Sequence, residues 1–160
     1  MREKLHHGHQ SCLDVAFRYL SYRPRSEFEI KTNLKRKGFD ASSIEGAVLK
    51  LRRQGLLDDL AFAQFWKANR QSFSPRSRAM LRSELREKGV APDIIAAAIE
   101  DVDEEASACR AAQKKAKGLA EADYETFRRR LGAFLKRRGF NYEVAQHTIN
   151  HLWQERNRDA

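Results

Sequence analysis

Three observations predict an all-α chain of three tandem three-helix modules forming an elongated, curved array. A motif of basic residues, glycine and an apolar residue appears as LKRKGF (34–39), LREKGV (85–90) and LKRRGF (135–140). Aligned on Gly38, Gly89 and Gly139, five apolar columns coincide, which is the signature of a repeat architecture. Apolar residues between the motifs follow the helical period, and no segment reads as a strand. The columns are Ile30, Leu81 and Leu131; Leu34, Leu85 and Leu135; Phe39, Val90 and Phe140; Val48, Ile99 and Ile149; and Leu51, Val102 and Leu152.

The elements follow in order. Residues 1–12, with His6, His7 and His9, are expected to be a disordered leader. The modules are expected over 13–54, 55–102 and 103–157. A first helix over Leu13–Ser21 is apolar at Leu13, Ala16, Phe17 and Leu20. The next runs over about Ser26–Lys37, and Ser26 with Glu29 has the spacing of a capping box. Its closing cations suit the negative end of the helix dipole. Gly38 stands where the chain needs a left-handed residue, and Phe39 supplies the apolar contact that seals such a cap. Asp40 then caps a helix to about Gln54, as Asn141 does in the third copy, whereas Pro92 takes the first helical turn in the second. Gly38, Gly89, Gly139, Phe39 and Phe140 are therefore expected to serve the fold. Leading helices over Asp59–Gln71 and Glu104–Leu119 complete the second and third modules. The aromatics Phe62, Phe65, Trp66 and Trp153 read as core.

The formal net charge is +9, and it is unevenly placed. Residues 1–38 carry nine basic and four acidic groups and residues 126–160 carry eight and three, so the ends are positive and the middle is close to neutral. Such an excess favours a polyanionic partner, either nucleic acid or the acidic face of a protein. Cys12 and Cys109 lie far apart without a CxxC spacing and read as reduced thiols of a cytoplasmic protein. No apolar run is long enough for a membrane helix.

Converging catalytic groups are missing. The chain has no phosphate-binding glycine loop, and neither cysteine has a histidine near it in sequence. His147 and His151 have the i, i+4 spacing at which imidazoles share a metal, but no further ligand is identifiable beside them. Asp58 and Asp59, at a helix start, read as capping groups rather than an acid pair. No enzyme, metal or cofactor is expected. The remaining signal is an array of cations on repeated helices: Arg25, Lys35, Arg36, Arg76, Arg82, Arg86, Lys88, Arg130, Arg137 and Arg138. A repeating surface suits a repeating partner, such as a nucleic-acid backbone or a protein filament.

Three segments carry a resemblance. YLSYRPRSEFEIKTNLKRKGFD (19–40) holds an Arg-x-Arg-Ser-x-x-Glu pattern at Arg23, Arg25, Ser26 and Glu29; GLLDDLAFA (55–63) and SPRSRAMLRSELREKGV (74–90) follow. In this order and spacing the chain resembles the RecX family of bacterial recombination regulators over about Leu13–Trp153. Two departures are Ser74, where glycine is common in the family, and Leu60-Ala61 in place of a more polar pair. The resemblance implies a monomeric, non-enzymatic modulator of RecA that lies in the groove of the RecA–DNA filament. There it would hinder filament extension, ATP hydrolysis and strand exchange, and so modulate DNA repair and the SOS response. It also implies contact with single- or double-stranded DNA in some members. A stand-alone DNA-binding protein is the alternative, since paired helices at a Gly corner also resemble helix-turn-helix units.

Overall fold

A computed structural model describes the backbone from residue 2 and side chains over residues 11–160. Nine helices and no strands occur among the described residues: α1 (Arg2–Tyr22), α2 (Glu27–Arg36), α3 (Ala41–Arg53), α4 (Asp59–Phe73), α5 (Arg78–Glu87), α6 (Pro92–Ile99), α7 (Glu104–Lys117), α8 (Tyr124–Arg137) and α9 (Tyr142–Arg158). The backbone is helical from Arg2, so α1 begins inside the leader expected over residues 1–12, of whose side chains only Ser11 and Cys12 are described. Of these, Cys12 is no part of a leader, because it is fully buried in the first core.

The expected caps are present. Ser26 accepts from the Glu29 amide at 3.1 Å while the Glu29 carboxylate accepts from the Ser26 amide at 3.0 Å, completing the capping box. Asp40 and Asn141 accept from the amides of Ser43 and Val144 at 2.7 and 2.9 Å. At each corner the glycine has a positive φ: +92° at Gly38, +74° at Gly89 and +90° at Gly139. The residue after it donates its amide back to the helix, Phe39 to the Leu34 carbonyl, Val90 to Leu85 and Phe140 to Leu135, at 3.1–3.2 Å. These are Schellman caps, in which only glycine adopts the left-handed conformation without strain. Gly55 closes α3 in the same way.

The chain divides into two compact units, residues 1–66 with 85–98, and residues 67–84 with 99–160. In the first, α1, α2 and α3 pack around Cys12, Leu13, Ala16, Ile30, Leu34, Ala47, Val48 and Leu51. Phe17, one of the apolar positions of the first helix, is 40% exposed. In the second, α7, α8 and α9 enclose Phe127, Leu131, Leu135, Phe140, Ile149 and Leu152. The apolar face of α7 is narrow because it is made of Ser107, Ala108, Ala111 and Ala112. Trp153 meets Phe127 edge-on at 5.1 Å, and the Arg156 guanidinium lies 3.8 Å over the Trp153 ring. Arg156 also donates to the carbonyls of Leu119 and Ala122 at 3.0 and 2.9 Å, tying α9 to the turn between α7 and α8.

Of the fifteen residues in the five apolar columns, fourteen are buried. Each such Leu, Ile or Phe contributes roughly 1.5–3 kcal/mol by leaving water. The exception is Phe39, half-buried against the first core.

Candidate functional site

The cations expected to contact a partner divide into two groups. Arg25, Arg76, Lys88 and Arg138 are held by the chain itself. The Arg25 guanidinium stacks 3.8 Å over Tyr19 and donates to the Tyr19 carbonyl at 3.2 Å. Lys88 Nζ lies 3.6 Å from the Glu29 carboxylate and 5.1 Å from the Trp66 ring centre. Arg23, its neighbour there, forms a two-pronged pair with Glu29 at 2.5 and 3.3 Å. Burial works to raise the Glu29 carboxyl, but hydrogen bonds from Arg23 and the Ser26 amide, with the charges of Arg23 and Lys88, hold it below its usual range.

Arg76 belongs to a second cluster. Glu84 lies 3.3 Å from Arg76 and 3.0 Å from Arg70, so one carboxylate serves two guanidinium groups. Burial, and then the neighbouring Arg138 charge, lower the pKa of Arg76. Arg138 donates to the Ser74 hydroxyl and covers the Phe134 ring at 5.0 Å. A residue spacing in sequence identifies a helix face, but these partners lie up to 64 positions away.

Lys35, Arg36, Arg82, Arg86, Arg130 and Arg137 are the other group. All are exposed, with no hydrogen bond or ion pair among the described residues. Arg82 and Arg86 are four apart on α5, and Arg130 and Arg137 seven apart on α8, so each pair shares one helix face. Lys35, Arg86 and Lys136 occupy the same place, three residues before a corner glycine, and all three are exposed. Cations in the last turn of a helix are favoured by its dipole, but only by about 0.3–1 kcal/mol, so a role for them in the fold is small.

Two grooves in the second unit escaped the sequence reading. One, about 780 Å³, is lined by Arg128, Arg129 and Lys136 together with Gly132, Ala133 and Ile149. The other, about 710 Å³, is lined by Arg110, Lys114, Lys115 and Arg138 with Phe73 and Phe134. Phe73 is 83% exposed at the end of α4. The four-residue spacing of Arg110 and Lys114 was the available signal; the exposure of Phe73 had none. Phe65 is also 36% exposed and Trp66 half-buried, whereas Phe62 is core as expected.

Asp58 caps α4, accepting from the amides of Leu60 and Ala61 at 3.0 and 3.1 Å. Asp59 instead accepts from the Glu27 amide at 2.9 Å, capping α2 across 32 residues. Burial first, then the charges of Glu27 and Asp58, push its carboxyl up. His147 and His151 are exposed and pair with Glu105 at 3.3 Å and Glu155 at 3.2 Å. Among the described residues no group of three potential metal ligands occurs, and no helix is long and apolar enough to cross a membrane.

Known proteins share both sequence and architecture with this chain. Residues 12–51 match the family described as RecX, first three-helix domain; residues 58–99 match the second such domain and residues 103–149 the third. The chain is 36% identical to Regulatory protein RecX of Chlorobaculum tepidum, over 87% of this chain and 86% of that one. It is 37% identical to Regulatory protein RecX of Pelodictyon phaeoclathratiforme, with 88% of each covered. For Regulatory protein RecX of Amycolatopsis mediterranei the identity is 35%, over 92% and 86%. The crystal structure of RecX from Lactobacillus salivarius superposes with a TM-score of 0.75 at 20% identity, covering 95% of this chain and 98% of that one, a likeness of fold.

Proposed function

The chain belongs to the RecX family, and on that premise we propose that it is a non-enzymatic regulator of the RecA recombinase. It binds the RecA–DNA filament in its groove and inhibits filament extension, ATP hydrolysis and strand exchange. By doing so it modulates recombination, repair and the SOS response in the cytoplasm. The single observation that carries this reading is the match of all three family domains in order along the chain.

The distribution of cations supports it. Lys35, Arg86 and Lys136 recur at one place in each module, exposed and without an ion pair among the described residues, and Arg36, Arg82, Arg130 and Arg137 lie near them in sequence on the same helices. A monomer that repeats one modest contact gains avidity when its partner also repeats, because later contacts form at high effective concentration. The half-buried cations Arg25, Arg76, Lys88 and Arg138 serve this function by holding the corners in shape.

The test is ATP turnover by RecA on single-stranded DNA with the purified protein added at stoichiometric amounts. A fall in turnover is expected, and unchanged turnover refutes the proposal. Direct contact with DNA is a second reading, favoured by the Arg110–Lys114–Lys115 groove with its exposed Phe73. It predicts binding to bare DNA that weakens steeply with salt and needs no protein partner.

A further inference from the structure

The corner glycines do more than turn the chain, because two of the three corners receive another helix. At the second, the Ser26 hydroxyl donates to the Lys88 carbonyl at 2.6 Å, and a Cβ placed on Gly89 would collide with the Phe28 side chain. Lys88, just before the glycine, pairs with Glu29 of the arriving helix. At the third, the Ser77 amide donates to the Arg138 carbonyl at 3.2 Å. A Cβ on Gly139 would collide with the Ser77 hydroxyl and come within 2.8 Å of the Met80 Cβ.

Both arrivals obey one rule. The carbonyl of the residue before glycine is left over by the Schellman cap, which satisfies only the carbonyls further back. A serine that caps the start of another helix reaches that carbonyl, and an apolar side chain two or three residues on lies against the bare glycine. The serines, Ser26 and Ser77, occupy equivalent places in modules one and two and are 0% and 1% exposed. The negative end of one helix thereby meets the positive end of another.

The first corner has the same parts and, among the described residues, no arrival. Lys37, Gly38 and Phe39 repeat the geometry of the other two, with the same bonds and φ +92°. Among the described residues, nothing lies within 4 Å of a Cβ placed on Gly38 and no group donates to the Lys37 carbonyl. Lys37 is exposed, whereas its counterparts Lys88 and Arg138 are half-buried and paired. The same difference accounts for the one break in the apolar columns: Val90 and Phe140 are each 4% exposed, and Phe39 is only half-buried.

We propose that the Lys37–Gly38–Phe39 corner is a docking site for a helix start of another protein, capped by Ser or Thr, with an apolar residue two positions on and a carboxylate at the third, as at Ser26, Phe28 and Glu29. The hydroxyl would donate to the Lys37 carbonyl, the apolar side chain would cover Gly38 and Phe39, and the carboxylate would pair with Lys37. Three cations in a row, Lys35, Arg36 and Lys37, make the surface complementary to an acidic helix start. A second copy of this chain does not supply the occupant. Its two serine-capped starts are already engaged, and in the third module α8 begins a turn earlier on Asp123, with Phe127 buried at the place of the serine. This proposal does not depend on RecA being the partner.

The probe is a side-chain-stapled helical peptide with the sequence of residues 23–33, which carries Ser26, Phe28 and Glu29. It is titrated into the ¹⁵N-labelled full chain up to about 1 mM, the range of weak specific binding. Saturable shifts of the Lys37, Gly38 and Phe39 amides are expected. Gly38→Asn in the protein should weaken them at least tenfold, as should Ser26→Ala in the peptide. Asn tolerates a positive φ, so the first variant fills the site while keeping the turn. Lys37→Glu leaves the backbone alone and should weaken binding through the peptide carboxylate. Absence of shifts at Gly38, an undiminished response in Gly38→Asn, or shifts centred on Gly89 in place of Gly38 would each overturn the proposal.

Discussion

Replacing Ser26 by alanine removes two bonds made by one buried hydroxyl. The first is the cap on α2, the 3.1 Å bond from the Glu29 amide, whose loss costs about 1 kcal/mol. The second is the 2.6 Å bond to the Lys88 carbonyl. Leaving that acceptor unsatisfied costs roughly 1–3 kcal/mol more, because Ser26 is 0% exposed and water does not replace it. The sum is about 2–4 kcal/mol for a change of one oxygen atom. Because the chain forms two compact units, a single melting temperature is a poor readout, and native-state hydrogen exchange is the better assay. Protected amides of α2 and α3 should exchange roughly 30- to 700-fold faster, at about tenfold per 1.4 kcal/mol. Ser26→Gly keeps most of the cap but loses the long-range bond, and should fall between. Exposed Ser42→Ala serves as the control, with a change of about twofold or less. If Ser26→Ala matches Ser42→Ala, the account of the corner joint is wrong.

Further outcomes follow from the same contacts. Gly55→Ala and Gly89→Ala both force a side chain to positive φ, costing about 1–2 kcal/mol, but only the second collides with Phe28. Gly89→Ala should therefore be the more destabilising by about 1–3 kcal/mol, with partial recovery in the Phe28→Ala background, as read by urea denaturation. Leu131→Ala should cost about 2–5 kcal/mol and shift the Trp153 fluorescence transition to lower urea. The Glu29 carboxyl is depressed in the folded chain, so its contribution is present above its usual value of about 4.5 and is lost as pH falls through the lower folded value. Glu29→Gln should flatten that acid limb of a stability–pH curve. Reversing Lys35, Arg36, Arg86 and Arg137 together should weaken inhibition of RecA while leaving the circular-dichroism spectrum unchanged. Arg25→Glu or Arg138→Glu should instead lower stability, since both side chains have partners within the fold.

Much of the fold could be read before any coordinates. The five columns, the capping box at Ser26 and the caps at Asp40 and Asn141 depend on local spacing, which a sequence displays directly. What lies between distant segments could not be read. Ser26 looks like a complete local cap, and nothing in its neighbourhood announces a bond 62 residues away. Asp59 sits at the start of α4 yet caps α2, for the same reason. Among the candidate cations, composition could not separate Lys35 from Lys88, since both precede a corner glycine. Only the arrival of Glu29 beside Lys88 distinguishes them. Phe17 and Phe73 show the converse: helical period places a residue on a face, but what covers that face is decided elsewhere in the chain.

Growth of RecA filaments on single-stranded DNA, followed filament by filament with labelled RecA, tests the regulatory role most directly. With the protein present at stoichiometric amounts, extension of already nucleated filaments is expected to stall. The variant with Lys35, Arg36, Arg86 and Arg137 reversed should need a markedly higher concentration for the same effect. Extension that continues unchanged at a one-to-one ratio contradicts filament binding as the function of this chain.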